Sequence, residues 1–447
     1  MSQKFAPNLT SLLMRETAIE TVPPSIGYLS GLVKLDLGFC KRLKSLPTSI
    51  CHLKSLEELD LTGCEKLKTF PEILEPMEHL RNLCLDFSGI KELPKSVENL
   101  VSLKDLFIEG CKDLKFLPNS LCNLRNLEKI WLLVCSKVQK LPSLPPSLRQ
   151  LKLDDCERLK SLPELPSLCL SLSASSCTSL ENISDWRAPL LQHLGDIIEY
   201  ASYEDYIDFY GCAKLDQNTH NTMIAHRAVI QILARIKFGR VTTYHSFCYP
   251  GDEIPVWFNH QTCGSSINNI MLPPYWNNDD FLALAFCIVF HWNKIDNNRM
   301  LIPSCTLNFK TIDDGSLYEY HDYTSSCKYN KFSSDHVFIW YVERRSLESS
   351  EEMDGLDWPS TCSTEASFHV SHSFSDYVNN NESEYDEIKK FGVRFVYKQD
   401  MERCDAETER KNKRSFNECC ESSGSETVGF LEEEDEDESH SKKLKLM

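Results

Sequence analysis

Two patterns in the sequence predict its fold class: evenly spaced leucines in residues 1–186 and short apolar segments in residues 241–400. The first predicts an α/β solenoid, and the second predicts an all-β sandwich after it. The clearest leucine unit is Leu32–Pro47, LVKLDLGFCKRLKSLP, with leucines at offsets 0, 3, 5, 11 and 14 from its first residue and a cysteine at offset 8. Five close and three looser copies start 21 to 24 residues apart, at Leu9, Leu32, Leu56, Leu80, Leu103, Leu127, Leu148 and Cys169.

This period, with the pattern L-x-x-L-x-L-x-x-C, is the signature of leucine-rich repeats. Side chains at offsets 0, 3 and 5 turn inward, and each repeat must cover its neighbour because no single repeat encloses them. The offset-8 cysteines are predicted to stack as an inward ladder, since a small, weakly polar side chain suits a tight bend. Leu-Pro or a close variant ends each unit, and proline fixes φ there. We therefore expect a convex side that is irregular or 3₁₀ rather than long helix.

The amino-acid composition limits which partners the protein can bind and in which compartment it is expected. The 447 residues carry a net charge of −18, which argues against a general affinity for nucleic acid. The longest apolar run, Phe281–Phe290, has ten residues, whereas a membrane helix needs about 20, so we predict a buried strand there. No apolar segment of signal-peptide length begins the sequence. A cytoplasmic protein that binds neither nucleic acid nor membrane is expected.

The 20 cysteines raise the alternative of a disulfide scaffold. Repeat position alone accounts for six of them, which makes reduced thiols the favoured interpretation. These ladder cysteines are Cys40, Cys64, Cys111, Cys135, Cys156 and Cys177.

The repeats are predicted to occupy residues 1–186, and a helical bridge residues 187–240. No polar cap precedes the first repeat, which suggests a fragment or a truncated gene product. Apolar residues have helix-like spacing from Leu191 and again over Thr222–Lys237. We expect this bridge to cover the last repeat.

Residues 241–400 are predicted to form the sandwich, because short β-branched and aromatic segments alternate there with polar turns. The six predicted strands are Ser266–Leu272, Phe281–Phe290, Thr306–Ile312, His336–Val342, Ala366–His372 and Gly392–Lys398.

Residues 401–447 are predicted to be a disordered acidic tail. The run Leu431–Ser439, LEEEDEDES, repels itself and cannot form a core. Basic clusters at Arg410–Arg414 and Lys442–Lys445 flank it. Because short basic blocks can serve nuclear import, entry into the nucleus is an alternative to a purely cytoplasmic location.

The segment Phe247–Ile267, FCYPGDEIPVWFNHQTCGSSI, carries a family resemblance. It resembles the P-G-x-E-I-P-x-W-F-x-x-Q-x-x-G-x-S-I signature of the C-terminal jelly-roll/Ig-like domain, which follows the repeats in plant TIR-type nucleotide-binding leucine-rich-repeat immune receptors. The resemblance covers residues 9–400 and implies a jelly-roll/Ig-like sandwich. Other segments that resemble this family are Cys212–Asn218, Phe281–Val289, Asp335–Tyr341 and Ile388–Tyr397.

In that family the repeats and the sandwich bind a pathogen effector, and a nucleotide-binding module then brings TIR domains together to consume NAD. This sequence has no G-x-x-x-x-G-K-[ST] loop and no TIR-like segment, so the resemblance implies only the sensing half. A pathogen effector protein is the expected partner, and binding without catalysis the expected activity. One alternative is a truncated regulatory or decoy receptor that pairs with full-length immune receptors. Another is a repeat-based interaction adaptor for a degradation complex.

The sequence lacks the common motifs of catalytic and metal-binding sites. Thirteen histidines occur without H-E-x-x-H, paired C-x-x-C or G-x-S-x-G, so we predict no catalytic, cofactor-binding or metal-binding residue. The PGDEIPVWF block is interpreted as architectural, with a turn at Pro250-Gly251 and buried area from Trp257 and Phe258.

The concave face is the predicted binding surface, because strand residues at offsets 2, 4 and 6 point away from the core. Most of these residues are polar and lean acidic, whereas Phe107, Trp131 and Leu133 are apolar. Neighbouring strands lie about 4.8 Å apart, so Phe107 and Trp131 should lie side by side. The alternative is that the bridge or the sandwich folds back over the patch. The predicted protein-binding residues are Phe107, Trp131, Leu133, Asp105, Lys129 and Lys152.

Overall fold

The computed structural model describes residues 9–186, 191, 207–215, 217–238, 247–291, 300–311, 317–323, 327–328, 334–348, 363–375, 387–406 and 408–410. Within these residues a 14-stranded sheet runs from the first repeat into the C-terminal β region. A second, 5-stranded sheet packs on the C-terminal part of the first.

Each of the eight repeats contributes one short strand to a parallel sheet. In successive strands the inward leucine of one repeat lies opposite that of the next, as Leu35 lies opposite Leu59. The strands are β1 Ser11–Leu13, β2 Lys34–Asp36, β3 Glu58–Asp60, β4 Asn82–Cys84, β5 Asp105–Phe107, β6 Lys129–Trp131, β7 Gln150–Lys152 and β9 Ser171–Ser173. A side pair joins β8 Ser161–Leu162 to β10 Asn182–Ile183.

The convex side carries 3₁₀ helices, which confirms the expectation from the Leu-Pro links. Each of the four begins at or next to the proline that closes a repeat, because proline sets the extended backbone before the turn. They are Pro24–Tyr28, Thr48–His52, Lys95–Asn99 and Asn119–Asn123.

The predicted cysteine ladder is present inside the solenoid. Each ladder thiol donates to a backbone carbonyl in the repeat before it, as Cys135 Sγ donates to Ile108 O at 3.3 Å and Cys156 Sγ to Leu132 O at 3.0 Å. The six ladder cysteines have no exposed surface. Cysteine at this position therefore fills the bend and also satisfies a buried acceptor.

The bridge contains a strand that the sequence analysis missed. β11, Ile207–Asp208, lies between β9 and β12 in the main sheet. Ile207, Phe209, Cys212 and Leu215 repeat the inward pattern, and Cys212 Sγ donates to Ala174 O at 3.1 Å. The prediction of a helical bridge over residues 187–240 was therefore incomplete. Apart from Leu191, its first helical segment lies outside the described residues.

The second predicted helical segment is confirmed as helix α1, Gln217–Phe238. Arg227 Nη2 donates to Ser167 O at 2.5 Å and to Cys169 O at 2.7 Å, and Gln231 donates to Leu170 O. The helix thus satisfies backbone carbonyls where the seventh repeat passes into the eighth.

The C-terminal β region has two packed sheets. The first continues the solenoid sheet from β11 in the order β12 Phe247–Pro250, β19 Asp335–Glu343, β15 Phe281–His291, β21 Glu387–Tyr397 and β13 His260–Cys263. The second has the order β14 Ser266–Met271, β20 Ser363–Ser375, β16 Met300–Thr311 and β17 Leu317–Tyr323, and β18 Cys327–Lys328 also pairs with β16. A short helix, Arg344–Glu348, follows β19.

An aromatic core joins these two sheets. Phe286 and Trp340 from the first sheet and Phe368 from the second are buried together, and Trp276 stacks on Phe309 with ring centroids 5.0 Å apart. All six predicted strands are present. β12, β13, β17 and β18 were missed, because short or polar strands give weak periodicity.

Helical structure continues past residue 400, where the sequence analysis began the tail. Residues 398–406 and 408–410 are helical, and Cys404 and Thr408 are buried. That predicted boundary was therefore too early. The acidic run and most of the two basic clusters lie outside the described residues.

None of the described helices has the length and hydropathy needed to cross a membrane. Within the described ranges, no group of three or more His, Cys, Asp or Glu side chains is placed to hold a metal ion.

Candidate functional site

The centre of the predicted site is an aromatic pair on the concave face. β5 and β6 place Phe107 opposite Trp131. The ring centroids are 4.9 Å apart and the planes meet at 73°, an edge-to-face arrangement that suits aromatic quadrupoles. Both side chains are half-buried. Each therefore keeps an accessible face while its neighbours fix its orientation.

The next strand holds Trp131 in place. Trp131 Nε1 donates to Gln150 Oε1 at 3.0 Å, and Lys152 Nζ lies 4.3 Å from the centroid of the tryptophan ring. A cation at this distance is attracted by the face of the ring. The indole is thus fixed on two sides.

Lys152 itself is buried, with 8% of its surface exposed, so its prediction as an exposed contact residue was wrong. Gln150, Ser171 and Ser173 are buried as well, so the concave face is less exposed at β7 and β9 than at β5 and β6. Phe107 and Trp131, two strands earlier in the sheet, are only half-buried.

Two charged residues of the site form an ion pair beside the aromatic rings. Lys129 Nζ lies 3.9 Å from Asp105 Oδ1, and Asn82 Nδ2 donates to Asp105 Oδ2 at 3.2 Å. Burial raises the pKa of Asp105, and Lys129 opposes that rise. The side chain of Asp105 is 19% exposed and that of Lys129 is 39% exposed, so a partner that covered this ion pair would still have to desolvate both charges.

Leu133 lies at the edge of the aromatic pair, two residues beyond Trp131. Its side chain is half-buried, and its carbonyl accepts a hydrogen bond from Gly110 N at 2.8 Å. The next residue, Val134, is 40% exposed. Apolar surface therefore continues from the concave face onto the rim of the solenoid.

Much of the acidic character of the rest of the face is structural. Asp36 accepts from Gly38 N and Asp60 from Thr62 N, each at 2.8 Å. Arg15 Nη1 lies 3.6 Å from Asp36 and 3.1 Å from Asp60. These carboxylates stabilise the turns that end their strands, which leaves the aromatic pair as the distinctive feature of the face.

The rim also carries apolar side chains that the sequence analysis did not single out. Phe39 and Phe87 are 37% and 48% exposed and lie one and three repeats after the first, at the same repeat position as Val134. No pattern in a single repeat marks this position, because glycine takes it in the repeats between them. Only the stacked structure brings these residues into one row.

The PGDEIPVWF block has one side that packs into the protein and another that is exposed to solvent. Ile254 and Phe258 are buried, whereas Val256 is 99% exposed. Arg394 donates to Trp257 O at 2.5 Å, lies 4.8 Å from its ring centroid and pairs with Asp400. A cavity of about 500 Å³ lies between this block, α1 and the helical residues 398–406.

The fold and this surface define a class: a leucine-rich-repeat solenoid whose sheet continues into a two-layer β region. Family models agree with this division. A model for a leucine-rich repeat region matches residues 7–188, and a model for the C-JID domain matches residues 249–402.

Curated relatives with these matches are plant disease resistance proteins. Disease resistance-like protein DSC1 of Arabidopsis thaliana is 31% identical over 218 residues, which cover 44% of this chain and 17% of that protein. Disease resistance protein RPS4B of the same plant is 27% identical over 359 residues, which cover 77% of this chain and 28% of that protein. The chain therefore spans less than a third of the length of these relatives.

Among solved structures, a leucine-rich-repeat protein of Leptospira interrogans matches 40% of this chain and 56% of its own, at 20% identity and a TM-score of 0.24. The chain carries a leucine-rich repeat region and a C-JID domain, and together with these relatives they support a C-terminal portion of a plant TIR-type nucleotide-binding leucine-rich-repeat protein.

Proposed function

We propose that this chain is the ligand-sensing part of a plant intracellular immune receptor, and that it recognises a pathogen effector protein by binding and not by catalysis. The relatives support the immune role. The observation that carries the proposal is the oriented, half-buried pair of Phe107 and Trp131 on the concave face. The two packed sheets, as the family's jelly-roll/Ig-like sandwich, would supply a second contact surface, and the compartment proposed is the cytoplasm.

The physical basis is the energetics of protein interfaces. A few residues that become fully buried at the centre of an interface dominate binding free energies, and tryptophan is enriched among them. Trp131 is already held by Gln150 and Lys152, so little side-chain entropy is lost when a partner covers it. A partner with an apolar protrusion would fit this surface.

The ion pair beside the rings would contribute specificity. Asp105 and Lys129 present both signs of charge at the edge of the aromatic pair. Charges in such positions mainly set partner choice and association rate, because their attraction is balanced by the cost of desolvation. A partner should therefore place a polar or charged residue next to its apolar anchor.

The test is capture of pathogen proteins from infected plant tissue by the tagged chain, with quantitative mass spectrometry. We expect at least one pathogen protein to be enriched by the wild-type chain and lost with Trp131→Ala. The purified protein should then bind wild type more tightly than Trp131→Ala by about 2 kcal/mol in calorimetry. The thermal midpoint of the mutant should stay within about 2–4 °C of wild type, as expected for a change near 1 kcal/mol in a unit of this size.

Two variants control this experiment. Tyr28→Ala removes an exposed aromatic residue from the convex side and should retain the captured protein. Trp131→Phe keeps a ring but loses the bond to Gln150, and should retain most of the affinity. If the midpoint of Trp131→Ala falls steeply while affinity is unchanged, Trp131 is a core residue and the proposed binding surface is wrong.

A further inference from the structure

One flank of the solenoid is basic although the chain as a whole is acidic. This basic flank follows the ladder position, cysteine or Ser88, in four successive repeats, and every member is exposed to solvent. Its residues are Lys91, Lys112, Lys115, Lys137, Lys140, Arg158 and Lys160. The same loops hold only three acidic residues, Glu92, Asp113 and Glu157, so positive charge is in excess there against a net charge of −18 for the chain.

Repeat geometry forces these cations close together. Lys115 N donates to Lys91 O at 3.2 Å, and Lys140 forms a parallel bridge with Ser161, so equivalent loops stack one repeat apart. The backbones of paired neighbouring strands lie about 4.8 Å apart, which sets the spacing between equivalent loops. Like charges at such spacing repel one another, so the flank is a place where an anion would be stabilised.

Few of these cations are neutralised within the described part of the chain. Lys137 Nζ lies 2.7 Å from Asp113 Oδ1, and this hydrogen bond lowers the pKa of Asp113. No carboxylate among the described residues lies within 4.0 Å of the other six members of the flank.

The centre of the flank is a depression with an aromatic wall. Phe116 is 50% exposed there. A shallow cavity of about 340 Å³ is lined by Phe116 together with Lys115, Lys137, Gln139, Lys140 and Arg158. An aromatic side chain ringed by four cations fits a peptide that carries an apolar residue next to several carboxylates.

The chain contains such a peptide. Phe430 and Leu431 are followed by seven consecutive acidic residues, EEEDEDE, at positions 432–438. We propose that the segment 430–438 docks on the basic flank of its own chain, with Phe430 or Leu431 against Phe116 and the acidic run along the lysines.

The segment can reach the flank. The described helix ends at residue 410, and it lies near the junction of solenoid and β region, where Asp405 Oδ1 accepts from Leu191 N at 2.7 Å. From β11 at that junction to β5 there are four strand steps, or about 20 Å. Residues 411–429 span about 60 Å when extended. Tethering of this kind gives an effective concentration in the millimolar range, enough for weak ion pairs to keep the segment bound.

The consequence is a shielded flank. While the acidic segment is bound, other polyanions meet a neutralised surface, and an acidic partner must displace the segment. The contact is between exposed charges, so it weakens as salt shortens the range of electrostatic attraction.

Zero-length carbodiimide cross-linking of the full chain, mapped by mass spectrometry, tests the proposal. We expect amide links between Lys115 or Lys140 and the carboxylates of residues 432–438, and loss of these links in high salt. Lys115→Glu combined with Lys140→Glu should reduce the yield at the remaining flank lysines about tenfold. Lys95→Glu with Arg125→Glu, the same charge change on the convex side, should leave it unchanged. Equal losses in both double variants would overturn the proposal.

A mixture of ¹⁵N-labelled and unlabelled chains identifies the docking partner. Links within one chain support the proposal, whereas links mainly between labelled and unlabelled chains would mean that a second copy is the partner and would overturn it.

Heparin affinity gives a second readout. Neutralising residues 432–438 with Gln and Asn should raise the salt needed for elution, and adding Lys115→Glu and Lys140→Glu should abolish that rise. If the rise persists in the combined variant, the flank is not the surface that the acidic run covers.

Discussion

At the scale of single residues, the ladder position explains much of the cysteine content. Two repeats place a hydroxyl there instead: Thr17 Oγ1 lies 3.2 Å from Cys40 Sγ, and Ser88 Oγ lies 3.4 Å from Cys111 Sγ. What the position requires is a small side chain with one donor. The buried thiols meet that requirement as hydrogen-bond donors, and this role needs neither oxidation nor catalysis.

The ladder predicts how the thiols react. Burial raises the pKa of Cys64 and of Cys156 to about 12, so both are protonated at pH 8, and the thiolate is the reactive form. Cys263 is exposed. Iodoacetamide at about pH 8 should therefore label Cys263 in the native protein and the ladder cysteines only after unfolding in urea, as followed by timed mass spectrometry. Ladder cysteines that label as fast as Cys263 in native buffer would show that the ladder opens.

At the scale of elements, one backbone feature recurs at the end of every strand of the solenoid. The residue before the ladder position has a positive φ between 53° and 72° in nine turns. Only three of the nine are glycine: the residues are Glu16, Phe39, Gly63, Phe87, Gly110, Val134, Asp155, Ser176 and Gly211. Left-handed backbone costs a non-glycine residue about 1–2 kcal/mol, so packing between repeats must impose it.

This strain predicts opposite effects for a pair of substitutions. Val134 is β-branched, exposed and at φ 55°, so Val134→Gly should raise the free energy of unfolding by about 0.5–1 kcal/mol despite the greater entropy of an unfolded glycine. Gly110→Val should lower it, because its φ is 63° and an added Cβ would lie 2.5 Å from Phe87 Cδ1. Urea unfolding measures both. A loss of stability in Val134→Gly would mean that the contacts of the valine side chain stabilise the fold by more than its left-handed backbone destabilises it.

The sequence predicted these elements unevenly, for physical reasons. The spacing of the leucines predicted the parallel strands, and the prolines that close the repeats predicted the 3₁₀ helices. The left-handed turns were invisible, because six of nine lack the glycine that usually marks them. β11 was missed because Glu204, and not an apolar residue, stands where its repeat should begin, 35 residues after Cys169.

At the scale of the whole molecule, the sheet crosses from the solenoid into the β region without a break. The sequence predicted two domains joined by a helical bridge, because the amino-acid composition changes between the repeats and the β region. Composition does not reveal which strands pair with each other, so the continuous sheet could not be predicted. The same limit applies to the candidate site. The contact of Phe107 with Trp131 follows from strand spacing, whereas the burial of Lys152 depends on what packs over the face.

The junction itself is held by hydrogen bonds of two polar side chains, of which His336 is buried and Asp208 is half-buried. Asp208 on β11 accepts from Tyr210 N at 2.8 Å, and burial raises its pKa to about 6. Nearby, His336 Nε2 accepts from Gly211 N at 3.2 Å, and burial lowers the pKa of this histidine to about 4. Asp154 also faces Asp208, and its charge adds to the rise in the pKa of Asp208. At neutral pH, Asp208 is therefore an ionised side chain in a site that favours its neutral form.

Replacement of Asp208 by Asn should stabilise the protein at neutral pH and have little effect at pH 4. The folded-state pKa of about 6 lies above the unfolded value of about 3.9, so the folded chain holds its proton more tightly. The stability that this proton gives is complete below about pH 4 and is lost as the pH rises to about 6, a difference of about 3 kcal/mol. Asparagine keeps an acceptor for Tyr210 N and does not titrate. Urea unfolding at several pH values should therefore give a stability difference between Asp208→Asn and wild type that grows from pH 4 to 6 and then levels off. The opposing titration of His336 occurs in both proteins and cancels in that difference. A difference that does not change with pH would show that the carboxyl group at the junction reaches water.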